Sequence, residues 1–149
     1  MYTPHTVTVY NASQNKTTLE MNYNITILEG VFLDIGKSAN IEKTGLSDAD
    51  RATLFIPFSV HATDGTTGNV KQYVPPKQYR AMTDPSSAWT LEDGGKESGV
   101  DCFFIKGNVV SSAGYAQLRK TVDYVFTVST VDLRDFGSEH MRHWQVGGR

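Results

Sequence analysis

A single cysteine, Cys102, rules out any internal disulfide in this 149-residue chain. None is needed, because a chain of this size buries roughly 68–70% of its unfolded surface. The lone thiol fits a reducing compartment and not a secreted, disulfide-stapled domain. An excess of charge of either sign is missing. Lys and Arg number 14 against 16 Asp and Glu, and cutting after residues 24, 60 and 114 leaves segments of 0, −2, −1 and +1. No segment is basic enough to wrap a DNA or RNA backbone, although nucleic acid can still slide past a weakly acidic wall. No run approaches the roughly 20 apolar residues of a membrane helix. The opening MYTPHTVTVYNASQ has neither the basic nor the apolar stretch of a signal peptide. The glycosylation triplets at Asn11, Asn15 and Asn24 are therefore read as chance matches.

Signatures of chemistry are missing as well. There is no Gly-x-Ser-x-Gly elbow, no Gly-x-Gly-x-x-Gly and no Walker A loop. The histidines fall at 5, 61, 140 and 143. His140 and His143 have a ligand-like spacing but no acidic or cysteine partner at a recognisable distance, so they read as surface residues, or with His143 packed beside Trp144. Cys102 lies in the apolar run VDCFFIK, where a buried inert thiol is expected. Glu92-Asp93 reads as solvation of a turn. Tyr73, Tyr79, Phe103 and Phe104 are not interleaved with basic residues as an oligonucleotide-binding sheet requires, and nothing supports sugar binding at Trp89 or Trp144. The expectation is a protein with no catalytic, cofactor-binding or metal-ligating residues.

What is present is β pattern. The stretch Ile25 to Val60 holds two apolar runs rich in Ile, Val, Phe and Thr around a polar segment, and it forms the spine of a sheet. Thr6 to Tyr10 alternates as a half-buried strand does. From Leu19 to Ile27, apolar Leu19, Met21, Tyr23, Ile25 and Ile27 alternate with polar Glu20, Asn22, Asn24 and Thr26, which predicts a core face and a solvent face. Gly30 marks a bulge or a barrel corner. In the strand Arg51–Val60, Leu54, Ile56, Phe58 and Val60 share a face, and Pro57 predicts an edge position or a bulge. HATDGTTGNVKQ reads as a hairpin tip or a projecting insertion, and the prolines of YVPPKQY as an extended surface crossover whose tyrosines cover the core. Ser112 reads as an N-cap of the one helix, about 112–121. In VDYVFTVSTVDL, Val122, Tyr124, Phe126 and Val128 form one face, with Val125 and Val131 making the other partly apolar, so the strand is expected to be covered on both sides. The fold class is mainly β: a single-domain small barrel or sandwich of about seven antiparallel strands with long loops and one short helix.

Three pieces carry a resemblance. They are GVFLDIGKSANIEKTGLSDADRATLFIPFSV from Gly30 to Val60, YVPPKQYRAM followed by WTLEDGG, and the tail GSEHMRHWQVGG. Thr44-Gly45-Leu46 and Ile56-Pro57-Phe58-Ser59 are its most characteristic parts. In this order the chain resembles head–tail connector (neck) or minor capsid proteins of tailed phages and prophages of Gram-positive bacteria. The resemblance implies a non-enzymatic virion part of stopper or head-completion type, made in the host cytoplasm. It implies a homo-oligomeric ring, hexamer or dodecamer, with portal or adaptor protein above and tail-terminator or tail protein below. DNA would pass through transiently, without sequence-specific binding and without a membrane. A tail terminator or decoration protein of the same virion is the alternative within that class, and a small β-barrel ligand binder is the alternative outside it. Partner contacts are expected from the polar segments 36–50 and 61–72 and from the tail: Lys37, Glu42, Lys43, Asp48 and Asp50, then His61, Asp64 and Lys71, then Arg142 and Trp144.

Overall fold

A computed structural model describes residues 3–14, 21–37, 50–92, 102–111, 115–138 and 141–149. The elements in order are β1 (His5–Gln14), β2 (Met21–Lys37), β3 (Asp50–Pro57), β4 (His61–Asp64), β5 (Gln72–Tyr73), α1 (Pro76–Ala81), a 3-10 turn (Pro85–Ser87), β6 (Ala88–Trp89), β7 (Cys102–Lys106), α2 (Tyr115–Thr121), β8 (Val125–Arg134) and β9 (His143–Gly148). The main sheet runs β1-β7-β8-β9-β3-β2, and β1 also pairs with β2, so six antiparallel strands close into a barrel. Closure leaves no unpaired edge along the six-stranded circuit. The short β4 adds to β2 outside it.

β2 makes closure possible because it is long and bent. Its first half pairs with β1, its second half with β3. His5 pairs with Val31 and Thr6 with Glu29, which leaves Gly30 bulged out at φ 85. Only glycine adopts that backbone without strain, so the corner expected from the sequence is where the strand turns. β3 is no edge strand, since β2 and β9 flank it. Pro57 instead ends the strand, and a turn through Phe58 and Ser59 carries the chain into β4.

Two apolar clusters result. The barrel interior holds Val7, Val9, Leu28, Leu54, Ile56, Phe104, Phe126, Val128 and Val146. Outside the barrel, Tyr10, Ile25, Phe103, Ile105 and Val125 are covered by Tyr115 and Leu118 of α2. This reverses the expected faces of β2. Val9 pairs with Thr26 and Val7 with Leu28, so Asn24, Thr26 and Leu28 share the inner face while Ile25 packs under α2. The apolar face sits under a helix and the polar face points inward, where buried groups satisfy it. β8 begins covered on both faces, with Phe126 inside and Val125 outside, but the expected face assignments do not hold: Val122 joins the outer cluster, and a register shift between Val128 and Thr130 brings Val131 onto the inner one.

Among the described residues there are two short α-helices where one was expected. α1 begins in the segment read as extended: Pro75 is its N-cap and Pro76 its first helical residue. A proline at that position has no hydrogen bond to lose and is preset for the helix. α2 covers Tyr115–Thr121, and the expected N-cap at Ser112 lies outside the described residues.

Gly148 faces the barrel interior. A Cβ there would come within 2.8 Å of Phe104 and 2.9 Å of Phe126. Gly148→Ala is expected to lower stability by about 1–3 kcal/mol, as overpacked cores do. Its urea midpoint checks this.

Candidate functional site

One end of the barrel is closed by residues 71–91, and polar residues on its inner face hold that plug. Asn11 Nδ2 donates to the Thr90 carbonyl (2.8 Å), and the Thr90 amide donates back to Asn11 Oδ1 (3.3 Å). Asn24 Nδ2 donates to the carbonyls of Pro85 (2.8 Å) and Ala88 (2.9 Å) and lies 3.2 Å from the Tyr79 hydroxyl. Below these sits an aromatic cluster. Trp89 packs edge-on against Tyr73 at 5.1 Å and Trp144 at 5.7 Å, and Phe58 lies 4.6 Å from Trp144. Asn11 and Asn24, both in glycosylation-like triplets, have their amides engaged inside the protein.

Lys71 is the buried charge of this end. Its side chain is fully enclosed. Nζ donates to Asn24 Oδ1 (2.5 Å), the Ile25 carbonyl (3.0 Å) and Thr26 Oγ1 (3.1 Å), which accounts for all three N–H bonds. The Asp64 carboxylate stands 4.0 Å away. Burial pulls the ammonium down to about 8, and Asp64 opposes that pull. Burial raises Asp64 in turn, but the amide and hydroxyl of Thr66, the Lys71 ammonium and the Thr67 amide together hold it below the usual range. A nucleophilic lysine needs a free lone pair facing a substrate. Lys71 has neither exposure nor an unused N–H, so it works as a rivet between plug and barrel.

The β8–β9 connection has the opposite chemistry. Phe136 is 66% exposed and Met141 62%, and Leu133 near the end of β8 is 62% exposed. These are three of the six exposed large hydrophobics among the described residues. Described residues of the connection are tied to their surroundings. The Met141 amide donates to the Ser138 carbonyl, the Phe58 amide to the Arg142 carbonyl, and Arg142 pairs with Asp135 at 3.2 Å. Gly137 turns the chain at φ 86. Three large apolar side chains near one end of the β8–β9 hairpin are thus left in water.

The residues expected at partner contacts scatter. Lys37 and Asp50 are opposite each other where β2 meets β3. Glu42, Lys43 and Asp48 lie outside the described residues. His61 is exposed at the start of β4, and Asp64 caps the turn that follows by accepting from the Thr66 amide and hydroxyl. Lys71 and Trp144 are corrections: both are buried, one as the rivet and one in the aromatic cluster, so neither presents a surface. Arg142 does belong to the exposed tip. His143 does not pack beside the Trp144 ring, because neighbours on a strand face opposite ways; its ring tilts on Phe55 at 5.7 Å. Glu92 is more than turn solvation, since Oε2 accepts from Arg80 Nε and Nη2. The tip itself was missed. Single apolar residues in LRDFGSEHMRH follow no period, so nothing distinguishes them from incidental loop residues.

Among the described residues no three His, Cys, Asp or Glu side chains gather as metal ligands would, and no helix is long and apolar enough to cross a membrane. Fold and contacts together define a small closed β-barrel, plugged at one end, with an apolar tip beside the plug. The chain belongs to DUF6751, a family of unknown function, whose pattern matches residues 2–149. No curated protein and no solved structure matches it.

Proposed function

We propose that the protein is a structural part of the tailed-phage neck. It forms the head-completion or stopper ring between portal or adaptor and tail, and helps retain and pass DNA. The observation that carries this reading is the β8–β9 tip: Leu133 near the end of β8 and Phe136 and Met141 beyond it stand in water, on a barrel whose buried Lys71 is fully used in holding the plug. A ring subunit needs a rigid body and a sticky projection, and it meets its neighbours by contacts that close. The resemblance of the Gly30–Val60, Tyr73–Met82 and Gly137–Gly148 stretches to neck proteins supports the same reading. So does the near-neutral charge, because a channel wall studded with phosphate contacts would hold DNA in place.

Antibody labelling of intact particles, viewed by negative-stain electron microscopy, tests it. Label confined to the head–tail junction is expected. Label spread over the capsid shell would defeat the stopper role.

A further inference from the structure

β1 closes the barrel on β2, and a histidine fastens the end of that seam. His5 opens β1 and pairs with Val31, the last register pair between the two strands. Further along β2, beyond that pairing, the Leu33 amide donates to Nδ1 of His5 at 3.0 Å. An amide has only a proton to offer, so Nδ1 supplies a lone pair and the ring's own proton sits on Nε2. Val31 and Leu33 both belong to the buried barrel interior, where an amide left unpartnered is costly. His143 shows the opposite arrangement. Its Nδ1 lies 2.7 Å from the Met141 carbonyl, which can only accept, so that nitrogen carries the proton.

The charged groups in the strands around His5 are exposed. Glu29 of β2 pairs in register with Thr6 and with His61 of β4, Asp34 of β2 stands beside Leu33, and Lys106 of β7 pairs with Val7. β3 brings Phe55 and Thr53 opposite Phe32 and Asp34, and neither is charged. The carboxylates favour an imidazolium and the lysine opposes it, both through screening water. The His5 ring itself tilts on Phe32 at 5.5 Å.

We propose that His5 is an acid-released latch on the closing seam. At neutral pH its lone pair holds the Leu33 amide. A proton taken up at Nδ1 turns the acceptor into a donor, the bond breaks, and the β1–β2 corner beside Gly30 opens. Histidine is the side chain whose charge ordinarily changes between about pH 5 and about pH 8, so mild acid suffices. The unfolded chain takes up the same proton without breaking a bond, so acid favours the open corner. His143 already carries a proton at Nδ1 and keeps its bond. The release is local, because β1 stays paired with β2 from Thr6 onward and with β7 from Val7 to Asn11. What acid wets is the apolar corner at Val31 and Leu33. The latch does not depend on the neck reading.

The test follows hydrogen exchange of the Leu33 amide in the full-length chain, with rates corrected for the intrinsic effect of pH. In the wild type its protection is expected to fall roughly tenfold between about pH 7.5 and about pH 5, while the amides from Val7 to Asn11 hold theirs. His5→Asn places a carboxamide oxygen near the position of Nδ1, an acceptor that takes up no proton in this range. Its Leu33 protection is expected to stay level. Nitrogen NMR of the wild-type His5 ring needs no variant: Nδ1 is expected bare at neutral pH and protonated once protection has fallen. A proton on Nδ1 at neutral pH would overturn the latch. So would Leu33 protection that persists in acid, or that falls equally in the wild type and in His5→Asn.

Discussion

Trp89→Ala is expected to cost the fold about 3–5 kcal/mol, the range for removing a fully buried Trp. Trp89 is 1% exposed and joins the plug to the barrel interior. Its ring meets Tyr73 and Trp144 edge-on, geometry in which aromatic pairs add to plain area burial. Its carbonyl accepts from the Val74 amide, and the next residue, Thr90, exchanges two bonds with Asn11. Emptying this site leaves a cavity bounded by the closed barrel on one side, which cannot collapse to fill it. Urea denaturation reads the loss. Amide exchange should also rise more in residues 72–91 than in β1 and β7, because the plug loses its anchor while the strand ladder keeps its bonds. A loss under about 1 kcal/mol would mean the segment is a loose cover.

The second large effect concerns Lys71. At pH 7, Lys71→Met is expected to lower stability by about 2 kcal/mol, since Asn24 Oδ1, Thr26 Oγ1 and Asp64 lose the donor they share. The pH dependence is sharper. Lys71 titrates at about 8 in the fold against 10.5 in an ordinary lysine. Between those values the unfolded chain keeps a proton that the folded chain has lost, so this group's contribution rises with pH. It is complete above 10.5 and is lost as pH falls through 8. The stability gap between the wild type and Lys71→Met should therefore widen from pH 8 to 10.5, by up to about 3 kcal/mol. Tyr10, Tyr73 and Tyr79 are raised by burial, so their stabilisation fades as pH climbs past 10. That fading is common to both proteins and drops out of the comparison. A gap that narrows with pH would mean that Asp64 and the three acceptors outweigh burial.

How the chain reveals itself differs from element to element. The strands were legible because their period of two is a local property, and so was the corner at Gly30, because a glycine inside an apolar run has few other uses. The orientation of β2 was not. Alternation reports that two faces differ, not which one is inside, and in a barrel with a helix packed on its flank both faces can be buried. Asn24 and Thr26 looked like a solvent face and are the inner seat of Lys71. Lys71 looked like a surface charge because its three acceptors lie about 45 residues away in sequence. α1 was hidden by Pro75-Pro76, a pair that reads as extended until the second proline is seen at the first helical position. The contact tip left no periodic trace, since what matters there is exposure, a property of the folded surface.

The most direct measurement is a junction-focused cryo-electron reconstruction of the intact particle. The account predicts this barrel in six or twelve copies around the axis between portal and tail. A junction with no density for the barrel, or copies dispersed on the shell, would contradict it.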